Sequence, residues 1–117
     1  MKGKFADKVR LEHMLDAISE IEFYNEKTDF ETFCKTSIIR FASIKQIEII
    51  GEAANGILED TRLKFSQIEW KRIIGLKNIL IHEYFGVDAK IVWDIIRNDI
   101  PILKNQILTA LHTMDQM

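Results

Sequence analysis

Apolar residues recur along this chain at three- and four-residue intervals, the signature of helices that bury one face. Leu11, Met14, Leu15, Ile18 and Ile21 form the first such stripe, with Lys, Arg and Glu between them, which predicts a helix over residues 5–26. Thr28 and Glu31 in TDFE match a capping box and predict a short helical turn carrying Phe30 and Phe33. A longer helix is predicted from Ser37 to Leu58, with Phe41, Ile44, Ile47, Ile50, Ala54 and Ile57 facing inward. Within it, IIGEAANG removes bulk at Gly51, Ala53 and Ala54, where a neighbouring helix can pack closely, and offers Glu52 and Asn55 as candidates to line a polar cleft.

Ser66 and Glu69 (SQIE) repeat the capping-box pattern and predict a third long helix, with Ile73, Ile74, Leu80 and Ile81 on its stripe and its end near Gly86. Asp88 is placed to cap a fourth, VWDIIRNDIPILKNQILTALHTM. Pro101 interrupts that pattern, because it lacks a backbone N–H, so a kink or restart is expected near Ile100, with Asn98 or Asp99 absorbing the freed backbone groups. The connections are short and no repeat appears. The predicted fold is all-α, an antiparallel bundle of four main helices plus a short helical turn.

Composition sharpens this in a few places. A chain of 117 residues, 47% hydrophobic and 29% charged, suits one domain over residues 1–117, and five Gly with one Pro are too few for an all-β chain. Cys34 stands alone, so no internal disulfide is expected. The stretch MKGKFADKVR has no signal-peptide core, and no apolar run reaches the roughly 18 residues of a membrane span. A cytoplasmic protein is the expectation. A net charge of −2 argues against holding nucleic acid by charge alone, yet residues 62–77 carry five cations against the single anion Glu69. For most of those cations a solvated helix face is the plainer explanation.

The candidate chemistry lies in KNILIHEYFG, residues 77–86. On a helix His82 lies about 40° from Asn78 and about 140° from Lys77, whereas Tyr84 falls within about 20° of Lys77, so the polar groups occupy two edges. They can converge on one substrate if a second copy of the helix meets the first across a two-fold axis, or if the helix end is distorted near His82. A polar helix end, with histidine on the last carbonyls, fits the same spacing. Three scattered histidines (His13, His82, His112) and one cysteine give no metal-ligand spacing, and no Gly-rich phosphate loop is present, so neither metal nor cofactor is expected. What remains is metal-free acid–base chemistry. A histidine can take a proton from a hydroxyl or return one to a leaving oxygen, a cation can stabilise a phosphorane, and RNA brings its own nucleophile in the 2′-OH.

LEHMLDAISEIE, IEIIGEAANGI, IEWKRIIGLKNILIHEYFGVD and IVWDI with DIPILK together resemble the HEPN superfamily, and within it the HepT-like proteins, over nearly the full length. HEYFGVD with Trp70 upstream is the most specific part. The resemblance implies an all-α domain that forms a homodimer, whose motif helices line one cleft and act as a metal-independent ribonuclease on RNA. It assigns catalytic roles to Lys77, Asn78 and His82, and makes Tyr84 the acceptor of AMP from a nucleotidyltransferase antitoxin.

The family pattern has arginine where this chain has Lys77. That replaces a planar, bidentate fork with a mobile point charge. Two functions therefore stand open: a toxin that cuts RNA, and a weak or inactive dimer that serves as binding partner and AMP-accepting substrate of the antitoxin.

Overall fold

The first apolar stripe becomes helix α1, Lys4–Asn25, and in phase with it run two polar residues that are buried with the core, Asp7 and Asn25. The computed structural model describes residues 3–83 and 88–116, without the side chains of residues 4 and 79–83. After α1 come α2 (Phe30–Lys35), α3 (Ser37–Asn55), α4 (Glu59–Lys64), α5 (Trp70–Glu83), α6 (Ala89–Asp94), a π-helical turn (Ile95–Asp99) and α7 (Ile100–Asp115). The described residues are all-α, as the pattern predicts.

Helix α1 lies between α3 and α7. Lys8 near its start pairs with Asp115 at the end of α7 at 2.7 Å, and Glu22 near its end pairs with Lys104 at 3.0 Å, so α1 and α7 run antiparallel. Asn25 donates to Ser43 Oγ at 3.0 Å near the start of α3, while Asp7 Oδ1 accepts the Leu58 backbone N–H at 3.2 Å just beyond its end, so α1 and α3 are antiparallel too. Asp7 Oδ2 also accepts the Thr61 hydroxyl, and the Arg10 guanidinium stands 3.5 Å from Oδ1. One core joins these helices, with Leu11, Ile18, Ile47, Ile50, Leu76 and Ile107 among its members.

Several boundaries move by a residue or two. Asp29, not Thr28, caps α2: its carboxylate accepts the Thr32 backbone N–H at 2.8 Å, chiefly through which its pKa is held below the ordinary carboxylate value. Thr28 instead donates to the Tyr24 carbonyl. The predicted helix from Ser37 to Leu58 stops at Asn55, and a short helix not foreseen follows, Glu59–Lys64, because Asp7 and Arg62 tie the intervening turn down. Phe41 was expected inside and is 42% exposed. Ser43 is buried near that level facing Asn25, and the Phe41 ring lies at the edge under Arg40. Ser66 does not cap α5; that helix begins at Trp70, with the Glu69 carbonyl accepting the Ile73 N–H. The Trp70 indole N–H donates back to the Arg62 and Phe65 carbonyls, which fixes the turn before α5.

Asp88 caps α6 as expected, accepting the Lys90 N–H at 3.0 Å. Pro101 is accommodated by the backbone itself. The Ile100 N–H reaches the Ile95 carbonyl, one residue farther than in an α-helix, so the ladder shifts register before the ring arrives. The Asp99 carboxylate, expected to absorb freed backbone groups, accepts from Arg72 of α5 instead. The predicted end of α5 near Gly86 and the side chains of Leu80 and Ile81 lie outside the described residues.

The closest backbone approach involving a described glycine is between α3 and α5: a Cβ on Gly51 would sit 3.2 Å from the Ile73 carbonyl oxygen. Gly51→Val is expected to destabilise the fold by about 1–3 kcal/mol through overpacking, read as a lower urea midpoint. Asp7→Ala is expected to cost about 2–3 kcal/mol, because Thr61 and the Leu58 N–H lose a charged, buried acceptor. Urea unfolding with an unchanged m-value checks it; an unshifted midpoint would show that water replaces the carboxylate at no cost.

Candidate functional site

Helix α5 owes its orientation to Ile73 and Leu76, which are buried against the core, and this turns the next two residues outward. Lys77 and Asn78 are consecutive and both exposed. The helix continues through Glu83, so His82 follows Asn78 by four residues on one helical segment. The side chain of His82, and Tyr84 altogether, lie outside the described residues. The structure thus places two of the four sequence-predicted site residues.

Lys77 meets a partner from α3. Its Nζ stands 3.5 Å from Glu52 Oε1, and both side chains remain open to water at 46% and 61% exposure. The pair stands beside the close approach at Gly51, where a Cβ would lie 3.2 Å from the Ile73 carbonyl oxygen and in ordinary contact, at 3.9 Å, with Lys77 Cβ. The tight packing expected of IIGEAANG and the polar role considered for Glu52 are two aspects of one contact. Asn55 contributes differently: its carbonyl accepts from Arg62 at 2.9 Å at the end of α3.

Arg62 and Arg72, two of the five cations between residues 62 and 77, tie elements together. Arg62 closes α3 through the Asn55 and Ala54 carbonyls. Arg72 joins α5 to the π-helical turn through Asp99 at 2.8 Å, with Glu69 4.0 Å away. The hydrogen bond to Asp99 raises the Arg72 pKa further above its ordinary value. A groove of about 210 Å³ opens beside it between Leu76, Ile91, Asp94 and Asn98. Sequence reading missed the Arg72–Asp99 link; the Pro101 signal pointed to the right turn but could not name the cross-helix partner.

Chemically, Lys77 offers an ammonium with three donors and Asn78 an amide with both donor and acceptor, side by side on an open helix face. Among the described residues no group of three or more His, Cys, Asp or Glu is arranged to hold a metal ion. Nor is any described helix long and apolar enough to cross a membrane. His13 and His112 are exposed on α1 and α7, on other elements than α5.

The family model described as "Ribonuclease HepT-like" matches residues 14–110, a span that includes α5 and the whole KNILIHEYFG segment. A Methanocaldococcus jannaschii protein named "Putative RNase" is 38% identical over 100 residues, covering 86% of this chain and 92% of its own. A protein of the same description from Caldanaerobacter subterraneus subsp. tengcongensis is 41% identical over 104 residues, 86% of this chain and 90% of its own. "Probable ribonuclease HepT" of Thermococcus cleftensis is 37% identical over 103 residues, 88% and 94% of the two chains. No solved structure matches the chain. With an all-α fold, a match over most of its length and relatives that align nearly end to end, the chain belongs to the HepT-like ribonuclease family of the HEPN superfamily.

Proposed function

We propose that this chain is the toxin of a toxin–antitoxin pair, a single cytoplasmic HEPN domain over residues 1–117 that cuts RNA without a metal ion. The observation that carries the reading is the outward presentation of Lys77 and Asn78 on consecutive positions of α5, in a family of ribonucleases. The site is composed by two copies of the chain, with a motif helix from each. His82 takes the proton from the 2′-OH; the 2′ oxygen bonds to phosphorus as the bond to the 5′ oxygen breaks; the imidazole of the second copy protonates that leaving oxygen. Lys77 neutralises charge on the phosphorane, and Asn78 orients substrate or imidazole. Tyr84 accepts AMP from a nucleotidyltransferase antitoxin, which silences the toxin.

A second reading is favoured by one residue. Lys77 supplies a point charge where the family's arginine supplies two parallel donors, so the chain can serve as a slow or inactive dimer whose main business is to bind the antitoxin and receive AMP.

Assays on single-stranded RNA separate the two. His82→Ala is expected to lower the cleavage rate by about 10²-fold or more, and excess EDTA to leave it unchanged. Lys77→Arg is expected to raise the rate about tenfold, the effect of one more charge-assisted hydrogen bond worth ~1.4 kcal/mol in the transition state. If the native chain and Lys77→Arg are both inert on a range of RNAs, the toxin reading is wrong. Co-expression with a nucleotidyltransferase encoded beside it, followed by intact mass, is expected to show an added AMP that Tyr84→Phe removes.

A further inference from the structure

Most ion pairs on this surface join residues three or four apart on one helix, such as Lys35 with Glu31 and Lys90 with Asp94. Lys77 and Glu52, like Lys8 with Asp115, Glu22 with Lys104 and Arg72 with Asp99, pair between elements, at 3.5 Å and beside the Gly51 contact. The root of the lysine stem lies on the side of α5 that faces Gly51, and its ammonium lies beside a carboxylate carried by the next residue of α3.

A free lysine samples many rotamers, so an ammonium meant to neutralise a phosphate spends much of its time elsewhere. A carboxylate at one side narrows that range, and with three N–H donors the ammonium can face Glu52 and still offer hydrogens outward. Neither group is buried, so both remain open to an incoming anion. We propose that Glu52 is a positioning residue, which acts through Lys77 by holding its ammonium where the scissile phosphate must come. The inference rests on the ribonuclease reading and extends it to α3. It also assigns the polar side of IIGEAANG a task distinct from the packing that Gly51 and Ala54 perform.

The test is steady-state cleavage of a fluorogenic single-stranded RNA by the full chain, with Glu52→Gln and Glu52→Asp made in both the native and the Lys77→Arg backgrounds. In the native background Glu52→Gln is expected to lower kcat about fivefold, with KM unchanged or lower because a negative charge near the phosphate is gone. Glu52→Asp, which keeps the carboxylate but shortens its reach, is expected to recover part of the loss. In the Lys77→Arg background Glu52→Gln is expected to cost less than about twofold, since a planar guanidinium needs less holding. An equal loss in both backgrounds would mean that Glu52 supports the fold rather than Lys77. A rise in kcat/KM would mean that it competes with RNA for the ammonium. Either result overturns the proposal, as does cleavage that Glu52→Gln leaves unchanged. If neither the native chain nor Lys77→Arg cleaves, the ribonuclease reading fails and this inference fails with it.

Discussion

Packing of α5 against α3 is the constraint on which the site depends. A Cβ at Gly51 would stand 3.2 Å from the Ile73 carbonyl oxygen, so the two helices approach backbone to backbone over a short stretch. Helices separated by large side chains usually sit 8–10 Å apart, and a glycine lets that spacing shrink locally. Beside that contact the Lys77 ammonium reaches Glu52, the residue after Gly51, and Ile73 and Leu76, buried in the core, keep α5 from rotating away.

A second set of polar contacts keeps α1 in register with its neighbours. Asp7 and Asn25 fall on the same helical face as Leu11, Met14, Ile18 and Ile21, and each finds partners on another element. An apolar residue at either position would bury as well, but would tolerate sliding of one helix along the next. Buried hydrogen bonds tolerate it poorly, because a shift of a single turn leaves a charge or an amide without a partner. The outer pairs, Lys8 with Asp115 and Glu22 with Lys104, lie near the two ends of α1 and are exposed enough to add little energy; their value is in agreeing with the buried contacts about direction.

Apolar spacing made the long helices legible, because a stripe at three and four residues has one stable outcome once a core exists. It was less informative at stripe edges. Phe41 is in phase closely enough to be read as core, yet Ser43 takes the interior position for the sake of Asn25, a partner 18 residues earlier that spacing on one helix cannot reveal. The short helix at Glu59–Lys64 escaped for the same kind of reason: its start depends on Asp7, about fifty residues upstream. Asp7 could have been suspected, since a carboxylate four residues before Leu11, about one turn away on the buried face, demands a partner. At the site, the sequence indicated that Lys77 and Asn78 share α5, whereas the Lys77–Glu52 pair required two helices to be placed side by side.

That pair also bears on why lysine can stand where the family pattern has arginine. A guanidinium carries its own geometry, five donors in one plane, and needs only to be aimed. An ammonium carries none, so any directional preference has to be imposed from outside, by a neighbour that limits where it spends its time. Glu52 is such a neighbour, but an exposed ion pair is worth at most about 1 kcal/mol, too little to fix the ammonium rigidly. The weakness has a use. A carboxylate that held Lys77 strongly would also cancel its charge and leave little for a phosphate, whereas a weak one biases position while leaving most of the attraction to be claimed by the incoming anion. On the proposal that Lys77 meets the scissile phosphate, the arrangement suits a site organised before the anion arrives and able to yield its cation to it.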